Sequence, residues 1–158
     1  MEEFFLRAAE LAPEFKFVLG GEGWGGKHLP ENVKWIGHVS TGDHNRVNSS
    51  ARMVLNINRE SMAHVGFSPP TRVFEAAGAG SCVITDRWNG IENFFDPGTE
   101  ILVAANAEDI VHFLRSLTAG DAKGIGTNMR QRALRDHTYA LRAQQFEMTV
   151  ADTRALAA

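Results

Sequence analysis

Ser68-Pro69-Pro70-Thr71-Arg72-Val73-Phe74-Glu75-Ala76-Ala77-Gly78-Ala79-Gly80-Ser81-Cys82-Val83-Ile84-Thr85 reads as a short helix delivered straight into a buried strand. Ser68 is placed to cap the helix, and proline follows at the first helical position, where its missing N–H costs nothing. Val73, Phe74, Ala76 and Ala77 supply a packing face, and Gly78 and Gly80 close the helix near the strand. Cys82 to Thr85 is apolar at successive positions rather than alternating, as expected of a strand covered on both faces. Cys82 is the single cysteine, so neither an intramolecular disulfide nor a CxxC site can form, and a small buried core residue is the expectation.

The same alternation extends outward from this stretch. Upstream, Arg52-Met53-Val54-Leu55-Asn56-Ile57, Val33-Lys34-Trp35-Ile36 and Lys16-Phe17-Val18-Leu19 read as strands. Glu2 to Ala12 reads as a helix with Phe5, Ala8, Ala9 and Ala12 on one face, and Asp43 to Ser50 as a brief helix that Asp43 would cap. Downstream, the turn Asp96-Pro97-Gly98 precedes the strand Ile101-Leu102-Val103. Asn106 then caps a helix, with Asp109 three residues on and Ile110, Val111, Leu114 and Leu117 along its face. Gly120 to Gly126 reads as a loose linker before a last, arginine-rich helix. Strands alternating with helices predict an α/β fold, a Rossmann-like parallel sheet with helices on both faces. One domain spans 1–158, with its core at about 14–118 and the C-terminal helix at about 127–148.

The 158 residues and 17.4 kDa suit a single compact domain, at 44% hydrophobic, 22% charged and a mean hydropathy of −0.20. A net charge of −3 and pI of 6.1 leave no basic field for nucleic acid. No stretch approaches the roughly 18 consecutive apolar residues of a membrane span. Met1-Glu2-Glu3-Phe4-Phe5 lacks the basic start of a signal peptide, so a cytoplasmic location is expected. The six histidines (His28, His38, His44, His64, His112, His137) fall at no metal-ligand spacing, so no metal site is expected, and no G-x-S-x-G motif is present. Arg130, Arg132, Arg135 and Arg142 interleave with Asp136 and Glu147, as on a solvated helix face.

Gly21-Glu22-Gly23-Trp24-Gly25-Gly26 matches G-x-G-x-x-G after a strand, but that fingerprint requires a helix to begin inside it. Lys27-His28-Leu29-Pro30 follows and a strand begins by Val33, which leaves no room for one, so a flexible loop is expected in place of an NAD site. The start of the Ser68–Thr71 helix is better placed for anions. Pro69 and Pro70 lack N–H groups, so Thr71, Arg72 and the Ser68 hydroxyl would do the work. Glu75, one turn on, reads either as a solvated glutamate or as a carboxylate that accepts two ribose hydroxyls.

From Lys16 to about Leu117 the chain resembles the C-terminal, donor-binding domain of GT-B glycosyltransferases, and most nearly the family of the spore-maturation protein CgeB. Leu55-Asn56-Ile57-Asn58-Arg59, Gly66 to Ala77, Gly80 to Asp86 and Phe94 to Val103 carry the resemblance. It implies half of a GT-B fold and a sugar transferred from a nucleoside diphosphate to an acceptor not identifiable here, with no tightly bound cofactor. Glu75-Ala76-Ala77 is similar to the second glutamate of E-x7-E, which implies ribose contact, while Phe67 stands where the first glutamate would be. By the same resemblance Ser68, Thr71 and Arg72 would hold the diphosphate. Gly20 and Gly21 would let backbone approach the crevice, and Gly37-His38-Val39 would border the base. No catalytic residue is assigned. The N-terminal acceptor domain is expected to lie outside this chain, as is the strand before the first helix, so the chain alone would bind nucleotide weakly and turn nothing over. An uncovered face toward that domain would favour homodimers. The alternative is a non-catalytic nucleotide- or partner-binding α/β module.

Overall fold

The computed structural model describes residues 2–58 and 65–156; Arg59 and His64 lie outside the described residues. A π-helical turn, Glu2–Leu6, runs into helix α1 (Arg7–Leu11), which buries Ala8 and Ala9, with Phe5 buried before it and Ala12 after it. The Asn32 amide Nδ2 closes the carboxyl end of α1, lying 2.9 Å from the Ala9 carbonyl, 3.2 Å from that of Ala12 and 3.0 Å from that of Phe15. Strands β1 (Phe17–Leu19) and β2 (Val33–Trp35) follow, then a 3-10 turn, Thr41–Asp43, and α2 (His44–Ser50). The remaining elements are β3 (Val54–Asn56), α3 (Thr71–Gly78), β4 (Val83–Asp86), a 3-10 turn Ile91–Asn93, β5 (Leu102–Ala104), α4 (Ala107–Ser116), α5 (Ala119–Asp136) and α6 (Tyr139–Leu156).

Every strand pairing is parallel, which bears out the α/β fold class. The strands form two ladders instead of one continuous sheet, β1-β2 and β3-β4-β5. A groove of about 710 Å³ separates them, lined by Phe17, Val18 and Leu19 on one wall and Val54 and Leu55 on the other.

The central strand β4 is buried at all four positions, so its side chains divide between two cores. Cys82 and Ile84 join Ala8 and Ala12 of the α1 segment and Ala107 and Ile110 of α4 on one face. Val83 joins Val73, Ala76 and Ala77 of α3, Trp88, Phe95, and Met129 and Ala133 of α5 on the other. At roughly 1.5–3 kcal/mol for each large apolar side chain fully buried, Ile84, Val83, Phe95, Ile101 and Met129 hold both helix layers on the sheet. Burial also pushes the Cys82 thiol up to about 11, consistent with a packing residue.

Three expected boundaries are corrected. Gly120 to Gly126 is not a linker but lies within α5. The Thr118 side chain accepts from the Asp121 N–H while the Asp121 carboxylate accepts from the Thr118 N–H, a reciprocal cap strong enough to start the helix at Ala119 despite its glycines. Gly126 faces the close passage of α5 over the α3–β4 turn: a Cβ there would lie 2.2 Å from the Gly80 carbonyl oxygen. The glycine therefore serves close packing. The C-terminal helix read as 127–148 is likewise two helices, parted at His137 and Thr138, with the His137 Nε2 bonded to the Phe94 carbonyl at 2.9 Å. At α2, Asp43 occupies the cap position without capping, because its carboxylate is held by Ser40 Oγ and Arg46 Nη2, each at 2.8 Å.

Three predictions follow from this packing. Gly126→Ala should destabilise by about 1–3 kcal/mol in urea unfolding, because the added methyl must displace backbone. Gly124→Ala, with nothing within 4 Å of the added Cβ, should instead stabilise by up to about 1 kcal/mol through helix propensity. In the folded chain at about pH 7.5, Cys82 should resist a thiol reagent and become reactive only under denaturing conditions.

Candidate functional site

The chemistry-bearing residues gather where β1, β2 and β3 end, the edge at which parallel α/β sheets bind ligands. Beyond β1 the chain must turn sharply, and Gly21 does so at φ +110°, its N–H donating to the Gly37 carbonyl at 2.7 Å. Trp35 Nε1 donates to the Gly21 carbonyl at 2.8 Å, which fastens the turn to β2 from the other side. Gly20 faces Val39 so closely that a Cβ would sit 2.9 Å from the Val39 Cγ2. Gly20, Gly21 and Val39, separate in sequence, thus form one rim. His38 is exposed on the same loop. Trp24 to Lys27 closes as a turn with no helix, so the glycine run has none of the geometry a dinucleotide needs.

Glu75 reaches this rim through a residue that no motif marked. His44, at the start of α2, places Nε2 3.3 Å from the Val39 carbonyl and Nδ1 3.2 Å from Glu75 Oε2. The Glu75 carboxylate remains 44% exposed and lines an open pocket of about 510 Å³ between α2 and α3, with Asn45, Arg46 and Ser49 opposite.

The α3 start departs from expectation in one respect. Pro70, in extended conformation, is the residue before the helix; Thr71 is the first helical residue, and Ser68 makes no capping bond. Two prolines in series force extended backbone through Pro69, which carries Ser68 past the cap position. The Thr71 and Arg72 N–H groups head the helix, and the next N–H, that of Val73, donates to the Pro70 carbonyl at 3.0 Å. Arg72 folds back on the fold: Nε donates to Asn56 Oδ1 and Nη2 to the Ile57 carbonyl at 2.9 Å.

Beneath it runs a buried polar chain that single residues did not announce. Asn56 Nδ2 donates to Thr85 Oγ1 at 3.3 Å, Thr85 Oγ1 to Asp86 Oδ1 at 3.3 Å, and the Asn58 N–H to the same oxygen at 2.9 Å. Its only sequence signal is polar residues ending strands that are otherwise apolar. Among the described residues no cluster of histidine, cysteine, aspartate or glutamate could hold a metal ion, and no helix is long and apolar enough to cross a membrane.

Residues 2–148 match the family described as Glycosyl transferase-like. The chain belongs to that family. Its fold is shared with glycosyltransferases of known structure: Anabaena HepE in complex with UDP-glucose (TM-score 0.69, 15% identity, 94% of this chain and 44% of that one). Sucrose-phosphate synthase from Thermosynechococcus elongatus gives TM-score 0.75 at 15% identity over 96% of this chain and 41% of that one. TarM gives 0.66 at 17% identity over 90% and 31%. The chain thus spans less than half the length of these structures. No curated protein matches it significantly by sequence.

The Arg72 tether yields a prediction. Arg72→Met should cost about 1–3 kcal/mol in urea unfolding, since it strands the buried Asn56 oxygen and frees the start of α3. The cost should shrink in an Asn56→Leu background, where no buried acceptor remains to be stranded.

Proposed function

We propose that this chain is the donor-binding half of a glycosyltransferase, in the branch related to CgeB, and that its donor is a uridine diphosphate sugar. The observation that carries the reading is Glu75: a carboxylate open to a pocket and bonded to His44, whose other ring nitrogen meets the rim at the Val39 carbonyl. HepE, of the same fold, is known in complex with UDP-glucose.

In this reading the Glu75 carboxylate accepts the two ribose hydroxyls, and its position on α3 sets how far the nucleotide enters. Gly20, Gly21, His38 and Val39 border the base; the Val39 methyl packs against Gly20, and Gly21, with open space where a Cβ would stand, is where backbone can be approached. The Thr71 and Arg72 N–H groups face the diphosphate, with the Ser68 hydroxyl beside them. During transfer the bond between the anomeric carbon and the diphosphate oxygen breaks, an acceptor oxygen takes the carbon, and negative charge grows on the departing diphosphate. Donors fixed at a helix start are suited to that charge, since they need not reorganise as it appears. No residue of this chain is assigned to take the acceptor's proton, so the role proposed for it is to bind and orient the donor. Phe67 in place of an acidic residue favours recognition through the nucleotide over the sugar.

The test is a thermal-shift and calorimetry panel of UDP, GDP, ADP, CDP and NAD. At about 100 times its dissociation constant UDP should raise the midpoint by roughly 5–10 °C. Glu75→Ala should weaken UDP at least about tenfold, the value of a hydrogen-bonded charge, without lowering the midpoint of the free chain by a comparable amount. A shift with NAD alone would overturn the reading.

A further inference from the structure

We infer that His44 is the positioning residue for the Glu75 carboxylate, and that it does so only as an imidazolium, tying donor binding to its protonation. The inference rests on the donor-site reading of Glu75. It begins from the two groups that the imidazole faces. Nδ1 meets a carboxylate oxygen at 3.2 Å and Nε2 meets the Val39 backbone carbonyl at 3.3 Å. Both partners are acceptors without hydrogens, so each ring nitrogen must bring a proton for both bonds to exist. A neutral imidazole carries one N–H. If Nε2 holds it, the Nδ1 lone pair confronts Glu75 Oε2 and the carboxylate swings away. If Nδ1 holds it, the loop carrying Val39 is released instead. Only the doubly protonated ring joins the rim to the carboxylate.

The bridge spans two elements that otherwise have separate supports. Val39 belongs to the loop that closes on Gly20, whereas Glu75 belongs to α3, fixed by Arg72 at the end of β3. The imidazolium therefore sets the distance between the base-side rim and the ribose-side carboxylate. The charged groups around it are few. From α3 comes Glu75; beside His44 stands Asp43, already paired to Arg46 and Ser40; and His38 lies exposed one residue before Val39 on the facing loop.

The experiment measures UDP affinity by calorimetry for the wild-type chain and for His44→Gln between about pH 5.5 and 8, the range over which histidine side chains change charge. The ratio of the two affinities at each pH removes the titration of UDP's own phosphate. A glutamine amide satisfies one acceptor at most, so wild type should bind about fivefold more tightly at the acid end, with the advantage shrinking toward the alkaline end. A ratio that stays constant across the range would overturn the inference while leaving Glu75 as the ribose ligand. Should the wild-type chain bind no UDP at any pH, the donor reading fails, and the bridge is then judged in the free chain by NMR. Glu75→Gln should displace the His44 ring resonances and leave those of His28, His112 and His137 in place. Unmoved His44 resonances would overturn it there.

Discussion

The fork from Arg72 to Asn56 Oδ1 and the Ile57 carbonyl is the contact on which the arrangement of the site depends. Parallel strands end with carbonyls pointing past the sheet, and a helix begins with N–H groups lacking partners. Here the guanidinium, a planar set of donors with no acceptor, bridges from the head of α3 to the end of β3. It consumes an acceptor that the buried Asn56 would otherwise leave unpaired, and it sets the register of α3 on the sheet. Glu75 follows one turn later on the same helix, so its position is inherited from this tether. The arginine is thereby committed to holding the helix as well as presenting its N–H to solvent. A charge engaged by two protein oxygens is a positioned dipole source more than a free counterion, which leaves the backbone N–H groups of Thr71 and Arg72 as the donors that head the helix.

Close backbone approach is the second constraint, and glycine placement follows it. α5 crosses the α3–β4 turn so tightly that only Gly126 fits against the Gly80 carbonyl, and Gly20 admits the Val39 methyl in the same way. These two positions look alike in a sequence, yet one consolidates the helix layer and the other lets the Val39 loop close on the end of β1. Gly21, by contrast, is required by its backbone angle, with open space around it. A run of glycines therefore says that something unusual happens to the chain without saying what.

That distinction explains what was legible beforehand. The strands and helices were readable because the apolar periodicities are strong and local: the β4 run, the alanine face before Pro13, and the Asn106 cap, whose Oδ1 does accept from the Asp109 N–H at 2.9 Å. The candidate residues on a single element, Glu75, Thr71 and Arg72, could be singled out for the same reason, because one helix start places them together. The α5 start was missed because glycine counts against helix by propensity, while the Thr118–Asp121 cap and the packing of Gly126 decide the matter from outside that stretch. The division into two ladders is a tertiary property, since strand periodicity says which faces are buried and nothing about which edges meet.

His44 was invisible for a related reason. It matches no ligand spacing and belongs to no motif, because its partners lie five residues back on a loop and thirty-one residues ahead on another helix. Its importance is a matter of proton count: two acceptors face a ring that carries two N–H groups in only one of its charge states. Glu75 as a lone helix glutamate has no reason to hold one rotamer in water. With Oε2 3.2 Å from the His44 ring, the carboxylate is restrained before a ligand arrives, which lowers the cost of ordering it. The tether at Arg72 thus fixes where the carboxylate stands, and the histidine fixes how it is turned.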